Sequence, residues 1–97
     1  MKYAAFHQYT ADLALTATHR PAHRAYLTKL IENDQAVAAG PFLDEAGDPN
    51  GTMVIVEAVD MAAAKAIATN DPYTVAGLFS TTEIKPWRWT LKNPEVA

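Results

Sequence analysis

Residues 20–34 can gather their apolar side chains on one side only as a helix, and the middle of that stripe is a histidine. At about 100° per residue, measured from His23, Leu27 falls at about +40°, Leu30 at about −20°, Ile31 at about +80° and Tyr26 at about −60°. Arg24, Ala25, Thr28 and Glu32 take the solvent side. An ionisable ring on a core-facing stripe costs desolvation unless it meets a partner. Histidine is also the side chain whose charge changes near neutral pH. Two readings stand here: a core histidine bonded to some carbonyl, or an acid/base group at a site.

The chain around that helix is short. Its 97 residues show no composition shift and fit one domain spanning 1–97. A chain of this size buries only about 60–65% of the surface its unfolded form exposes, so the core is thin. It has no cysteine, so neither disulfides nor thiolate zinc sites supplement that core. A partner subunit is the remaining supplement. The net charge is −3, with 11 acidic and 8 basic residues spread without blocks. There is no basic stripe to track phosphates, which argues against nucleic acid as a partner. The opening Met1-Lys2-Tyr3-Ala4-Ala5-Phe6-His7 brings polar residues too early for a secretory signal. No run approaches the roughly 18 apolar residues of a membrane span. The expectation is a soluble, cytoplasmic protein.

Lys2–Tyr9 alternates, with Ala4 and Phe6 on one face and Tyr3, Ala5, His7 and Tyr9 on the other, and reads as a first strand. Residues 10–18 read as a connector, in which Ala11, Leu13 and Ala14 can form an extra turn or lid. Pro21 suits the first turn of the helix, where its missing N–H costs nothing, and Asn33-Asp34 ends it. Residues 36–42 form a second strand closing on Gly40-Pro41. Residues 44–51 are dense in turn formers and read as a loop. Residues 52–58 are apolar on both faces, as a central strand requires. Asp60 caps a helix over Met61–Thr69, and Asn70-Asp71-Pro72 stops it. Residues 73–79 read as a turn or helical stub. Residues 82–91 form the last strand, with Trp87 and Trp89 on one face and Pro86 marking an edge. Residues 93–97 are expected to fray.

The order β-α-β-β-α-β is the ferredoxin-like split pattern, an α+β sandwich with both helices on one face of a four-stranded antiparallel sheet. The other face is left bare, carrying tyrosines and tryptophans that water should not cover. Two sheets packed face to face would cover them, so a homodimer is expected.

Asp71 has two possible roles. It can cap the stub with Pro72 at the first helical position. It can also accept the Nδ1–H of His23, fixing the tautomer and leaving Nε2 free as a base. Arg20, three residues before His23, can clamp an anionic oxygen or simply sit in solvent. Gly40-Pro41 closes a strand near the start of the helix. Tyr73 and Phe79 flank Gly77 and either wall an aromatic pocket or pack in the core. His7, His19 and His23 lack a metal-ligand spacing, so no metal is expected. The four glycines form no phosphate-cradling loop, and Ser80, the only serine, lacks a nucleophile-elbow setting.

Arg20-Pro21-Ala22-His23, Ala39-Gly40-Pro41, Gly51-Thr52, Asp71-Pro72-Tyr73, Ala76-Gly77-Leu78-Phe79 and Ile84-Lys85-Pro86-Trp87 occur in that order along the chain. Together they resemble the YCII-related family of small bacterial proteins over essentially the whole length. The resemblance implies a dimeric α+β barrel of ferredoxin-like type, with a pocket in each subunit built around a His–Asp pair. By position that pair falls on His23 and Asp71, with Arg20, Gly40 and Pro41 close by. Where the family often has serine, this chain has Thr52, which keeps the hydroxyl but adds a methyl. A similar branch is associated with breakdown of chlorinated aromatics, eliminating HCl from a chlorinated hydroxyquinol.

The expected function is therefore a cofactor-independent enzyme of lyase or isomerase-like proton-transfer type, acting on a small anionic or aromatic molecule. His23 would be its acid/base, Asp71 its orienting partner, and Arg20, Gly40, Pro41, Thr52, Tyr73 and Phe79 the substrate contacts. The alternative is a non-catalytic dimeric module that holds an anionic metabolite in the same pocket.

Overall fold

In a computed structural model that describes residues 1–12 and 14–95, the elements run β1 (Lys2–Tyr9), α1 (Ala14–Glu32), β2 (Ala36–Leu43), β3 (Pro49–Glu57), α2 (Met61–Thr69), α3 (Pro72–Val75) and β4 (Phe79–Trp87). Leu13 and residues 96–97, for which a turn and a frayed end were expected, lie outside the described residues. The fold is α+β and ferredoxin-like. All strand pairs are antiparallel, in the order β2-β3-β1-β4. The apolar strands β1 and β3 take the centre. Pro86 sits on edge strand β4, where its missing N–H is tolerated.

The helix-facing side of the sheet carries Tyr3, Ala5, His7 and Tyr9 from β1 and Thr52, Val54 and Val56 from β3. Tyr3, Val54 and Val56 pack with Leu27, Leu30, Ala36 and Ala64 as the main core. One row across all four strands, Pro41–Thr52–His7–Thr82, lies under the helices, and its Pro41 and Thr52 become part of the lining of the site.

Several expectations are corrected. Helix α1 begins at Ala14, so the expected connector over residues 10–18 is mostly helical and Pro21 is interior. Proline removes the bond to the carbonyl four residues earlier. That carbonyl belongs to Ala17, which is exposed, so water can take it. Ile31, placed on the apolar stripe from spacing, is 43% exposed because it falls at the rim of the covered face. The loop over residues 44–51 is shorter than expected, and β3 starts at Pro49. Asp44 Oδ1 accepts from the amides of Ala46 and Asp48, while Gly47 takes φ 87°, closing the hairpin within five residues. Strand β4 starts at Phe79 rather than residue 82 and stops at Trp87. Trp89 lies beyond it, its ring 5.8 Å from that of Trp87. The tyrosines expected on the bare face point to the helices instead, because β1 registers Tyr3 against Val56. The bare face carries Phe6, Phe42, Met53, Ile55 and Trp87.

The expected stops and caps are present. Asp34 adopts φ 59° and ends α1, with Gln35 N–H donating to Leu30 O. Asp60 accepts from Ala63 N at the start of α2. Gly51 needs to lack a side chain: a Cβ there would lie 2.5 Å from the main-chain oxygen of His7 on the neighbouring central strand. Gly51→Ala is therefore expected to force β1 and β3 apart. The cost is about 1–3 kcal/mol, read as a lower urea midpoint with an unchanged m-value.

Candidate active site

The short helix α3 is pinned at both ends by its own sequence. Asp71 caps it through Oδ1, 2.9 Å from the Tyr73 amide, and Pro72 supplies the first helical residue. At the other end Gly77 takes φ 79°. Leu78 N–H then donates to Tyr73 O and Gly77 N–H to Thr74 O, a Schellman closure. Leu78 is completely buried, which anchors the turn. Two side chains, Asp71 and Tyr73, are thereby set in place beneath α1.

His23, on the core side of α1, meets both. Its Nδ1 is 2.8 Å from Asp71 Oδ1, and its ring stacks on Tyr73 with centroids 3.8 Å apart and planes 11° from parallel. Asp71 is only 2% exposed and His23 6%, so the pair works in a low-dielectric setting where the bond is strong. The two roles weighed for Asp71 coexist: one oxygen accepts from the Tyr73 amide and from the imidazole. With Nδ1 held there, the nitrogen left for chemistry is Nε2.

His23 lines a cavity of about 190 Å³ together with Thr16, Arg20, Arg24, Leu27 and Tyr73 from above. From the sheet side the lining is Tyr9, Ala39, Gly40, Pro41, Pro49 and Thr52. Tyr9 and Thr52 join their hydroxyls at 2.7 Å across β1 and β3. Burial pushes the Tyr73 phenol up, Tyr9 adds to that, and the guanidiniums of Arg20 and Arg24 oppose it.

Behind the pair, His7 is stacked on Phe79 with centroids 4.0 Å apart, and its Nδ1 is 2.8 Å from Thr82 Oγ1. Burial pushes the His7 imidazole down to about 4; the Asp71 carboxylate pulls the other way and His23 adds to the lowering. His7 is thus neutral at neutral pH while lying within the field of the His23–Asp71 pair.

Of the residues singled out from sequence, His23, Arg20, Gly40, Pro41, Thr52 and Tyr73 line one cavity, and Asp71 stands directly behind His23. Phe79 lies outside the lining. It packs edge-on to Tyr73 and flat on His7, because it opens β4 rather than ending a helical stub. Sequence reasoning missed Thr16, Arg24, Tyr9 and His7. Thr16, Arg20 and Arg24 recur every four residues, a helical row visible only once α1 is extended upstream of Pro21. His7 and Tyr9 share a face with Tyr3, which the alternation of β1 already displayed. Among the described residues, no group of three His, Cys, Asp or Glu side chains could hold a metal ion. No helix there is long and apolar enough to cross a membrane.

A ferredoxin-like domain with a buried His–Asp pair at a small cavity defines a class, and residues 1–88 match the YCII-related domain. The chain belongs to that family. It is similar to Protein YciI of Escherichia coli O6:H1 and of Shigella flexneri, each 35% identical over 95 residues covering 91% of this chain and 97% of the relative. Among solved structures it is similar to 5-chloro-2-hydroxyhydroquinone dehydrochlorinase (TftG) from Burkholderia phenoliruptrix AC1100, in complex with 2,5-dihydroxybenzoquinone. That match has a TM-score of 0.82 and 27% identity, covering 96% of this chain and 99% of the other. SnoaB, a cofactor-independent oxygenase from Streptomyces nogalater, shares the fold at a TM-score of 0.53 and 13% identity, covering 95% and 96% of the two chains.

The lowered His7 value has a consequence for stability. Its neutral form stabilises the fold fully above about pH 6.5, the unfolded value. That contribution is lost as pH falls from there to about 4. Urea unfolding between pH 6.5 and 4.5 should show wild type losing up to about 1.4 kcal/mol per pH unit more than His7→Gln. Equal slopes would mean that His7 is protonated in the fold.

Proposed function

We propose that this protein is a cofactor-independent lyase whose acid/base is His23 Nε2, oriented by Asp71, acting on a small activated ring such as a chlorinated hydroxyquinol. The observation that carries this is the 2.8 Å Nδ1–Oδ1 contact of a buried pair whose imidazole also lines a cavity. Asp71 selects the tautomer and stabilises the imidazolium that forms when Nε2 takes a proton. The 27% identity with a dehydrochlorinase over 96% of the chain supports elimination as the reaction.

The chemistry balances with one base. Nε2 removes the proton of the hydroxyl beside the C–Cl carbon and returns it to that carbon, giving a ketone and an sp3 CHCl centre. A second ring hydroxyl, conjugated through the adjacent double bond, then loses its proton as its electrons form a carbonyl. The double bond shifts and chloride leaves with the C–Cl pair. The products are a hydroxyquinone and HCl. The hydroxyquinol stabilises its own anion, so a positioned acid/base worth roughly 10²–10⁴ in rate suffices. Arg20 and the main chain around Gly40 and Pro41 face the cavity and would hold the phenolate oxygens.

The working unit is a homodimer of one YCII-related domain. Phe6 and Phe42 stack 6.2 Å apart on the bare face, with Phe42 41% and Trp87 39% exposed, a surface that a second copy would cover.

His23→Ala is expected to lower turnover of a chlorohydroxyquinol by 10² or more while circular dichroism stays unchanged; normal turnover would exclude His23 as the base. Asp71→Asn keeps a capping oxygen and should cost less, showing mainly in kcat. Saturable binding of the quinol with no chloride released would leave a binding module instead. In sedimentation, wild type should run as a dimer and Phe42→Lys as a monomer; a wild-type monomer removes the dimer.

A further inference from the structure

Thr16, Arg20 and Arg24 stand at successive four-residue steps along α1 and all line the cavity. Helical side chains lean toward the N-terminus, so Arg20 reaches back over Thr16 and Arg24 over Arg20. The Tyr73 hydroxyl lies at the same place. It donates to Thr16 O at 3.4 Å, and Arg20 and Arg24, whose guanidiniums both oppose the rise of its pKa, line the same cavity as Tyr73.

What the arginines lack is a counter-charge, and what Thr16 lacks is a hydrogen-bond partner for its hydroxyl. Among the described residues, neither arginine has a carboxylate within salt-bridge distance. Asp71, the carboxylate behind His23, is committed to that imidazole and to its own cap. Thr16 is only 7% exposed, and its Oγ1 is buried without a hydrogen-bond partner. A buried hydroxyl left unbonded is an unmet cost, and a turn of the Thr16 side chain toward the cavity it lines lets a ligand oxygen remove it. Two guanidiniums with no carboxylate partner among the described residues, beside a buried hydroxyl without a hydrogen bond, in a chain of net charge −3, mark a seat for one anionic planar group. Arginine's fork matches a carboxylate.

Cavity size sets what carries that group. An apolar cavity of roughly 150 Å³ holds benzene, so about 190 Å³ takes one six-membered ring with a small substituent. We propose that the substrate is a monocyclic carboxylic acid of benzoate size, its carboxylate held by Arg20, Arg24 and Thr16 Oγ1. The ring then lies beside His23 Nε2. This deepens the acid/base reading above and rests on it for the site. It differs in adding a carboxylate to the ring and in assigning Thr16 and Arg24 as recognition residues.

Calorimetry with benzoate, 2,5-dihydroxybenzoate and the neutral isostere benzamide tests it on the intact protein. Both carboxylates should bind at least tenfold tighter than benzamide, and benzoate should shift the His23 ring resonances. Arg24→Gln should bring benzoate within about threefold of benzamide, and Thr16→Val should weaken benzoate three- to tenfold. Benzoate no tighter than benzamide, or tight binding indifferent to both substitutions, overturns the proposal. His23-dependent chloride release from a chlorohydroxyquinol alongside that result would leave the acid/base reading standing. Arg24-dependent benzoate binding without any turnover would uphold the carboxylate seat and remove the elimination chemistry.

Discussion

Asp71 Oδ1 accepts two hydrogen bonds, from the Tyr73 amide at 2.9 Å and from His23 Nδ1 at 2.8 Å, and the rest of the site is arranged around it. The first bond nucleates a one-turn helix too short to persist alone. The second ties that turn to α1. A carboxylate this deeply buried is tolerated only because its charge is met by donors. Removing either donor would leave the other interaction holding a less compensated anion. The same atom therefore both caps α3 and holds the imidazole, and capping cannot be separated from the orientation of His23.

Aromatic stacking extends that anchor in two directions. Tyr73 lies flat against His23 and edge-on to Tyr9 and Phe79, and Phe79 lies flat against His7. The imidazole of His23 can neither tilt nor slide without disturbing this set, which is how a thin core gives a precise site. His7 has a complementary part. It is kept neutral by burial, so it adds no positive charge beside the pair at neutral pH. The row Pro41–Thr52–His7–Thr82 runs straight from the cavity lining at Pro41 and Thr52 to His7 because β1 and β3 pair without a slip at these positions. Gly51 permits that pairing by having no side chain to press on β1.

Local signals told most of the fold. Alternation in β1, the apolar run in β3, the Asp60 cap, the Asn33-Asp34 stop and Pro86 at an edge all report conditions that a segment meets within a few residues. Errors arose where two local signals competed. Pro21 reads as a helix start, yet seven helical residues precede it, because an exposed Ala17 carbonyl can be hydrated at little cost. Pro49, Asn50 and Gly51 read as loop, yet the Asp44 turn closes early and leaves Pro49 and Gly51 to pair with β2, with Asn50 at a register shift between them.

By itself, the sequence determined the order of elements, the caps and the presence of a histidine on a buried helical stripe, since these follow from periodicity and backbone stereochemistry. Only the tertiary structure decided that His23 meets an aspartate 48 residues away, that the tyrosines turn toward the helices, and that Thr16 and Arg24 join Arg20 at the cavity. Those outcomes depend on strand register and on how helices cross the sheet. Such choices minimise the free energy of the whole chain, and no short segment encodes them.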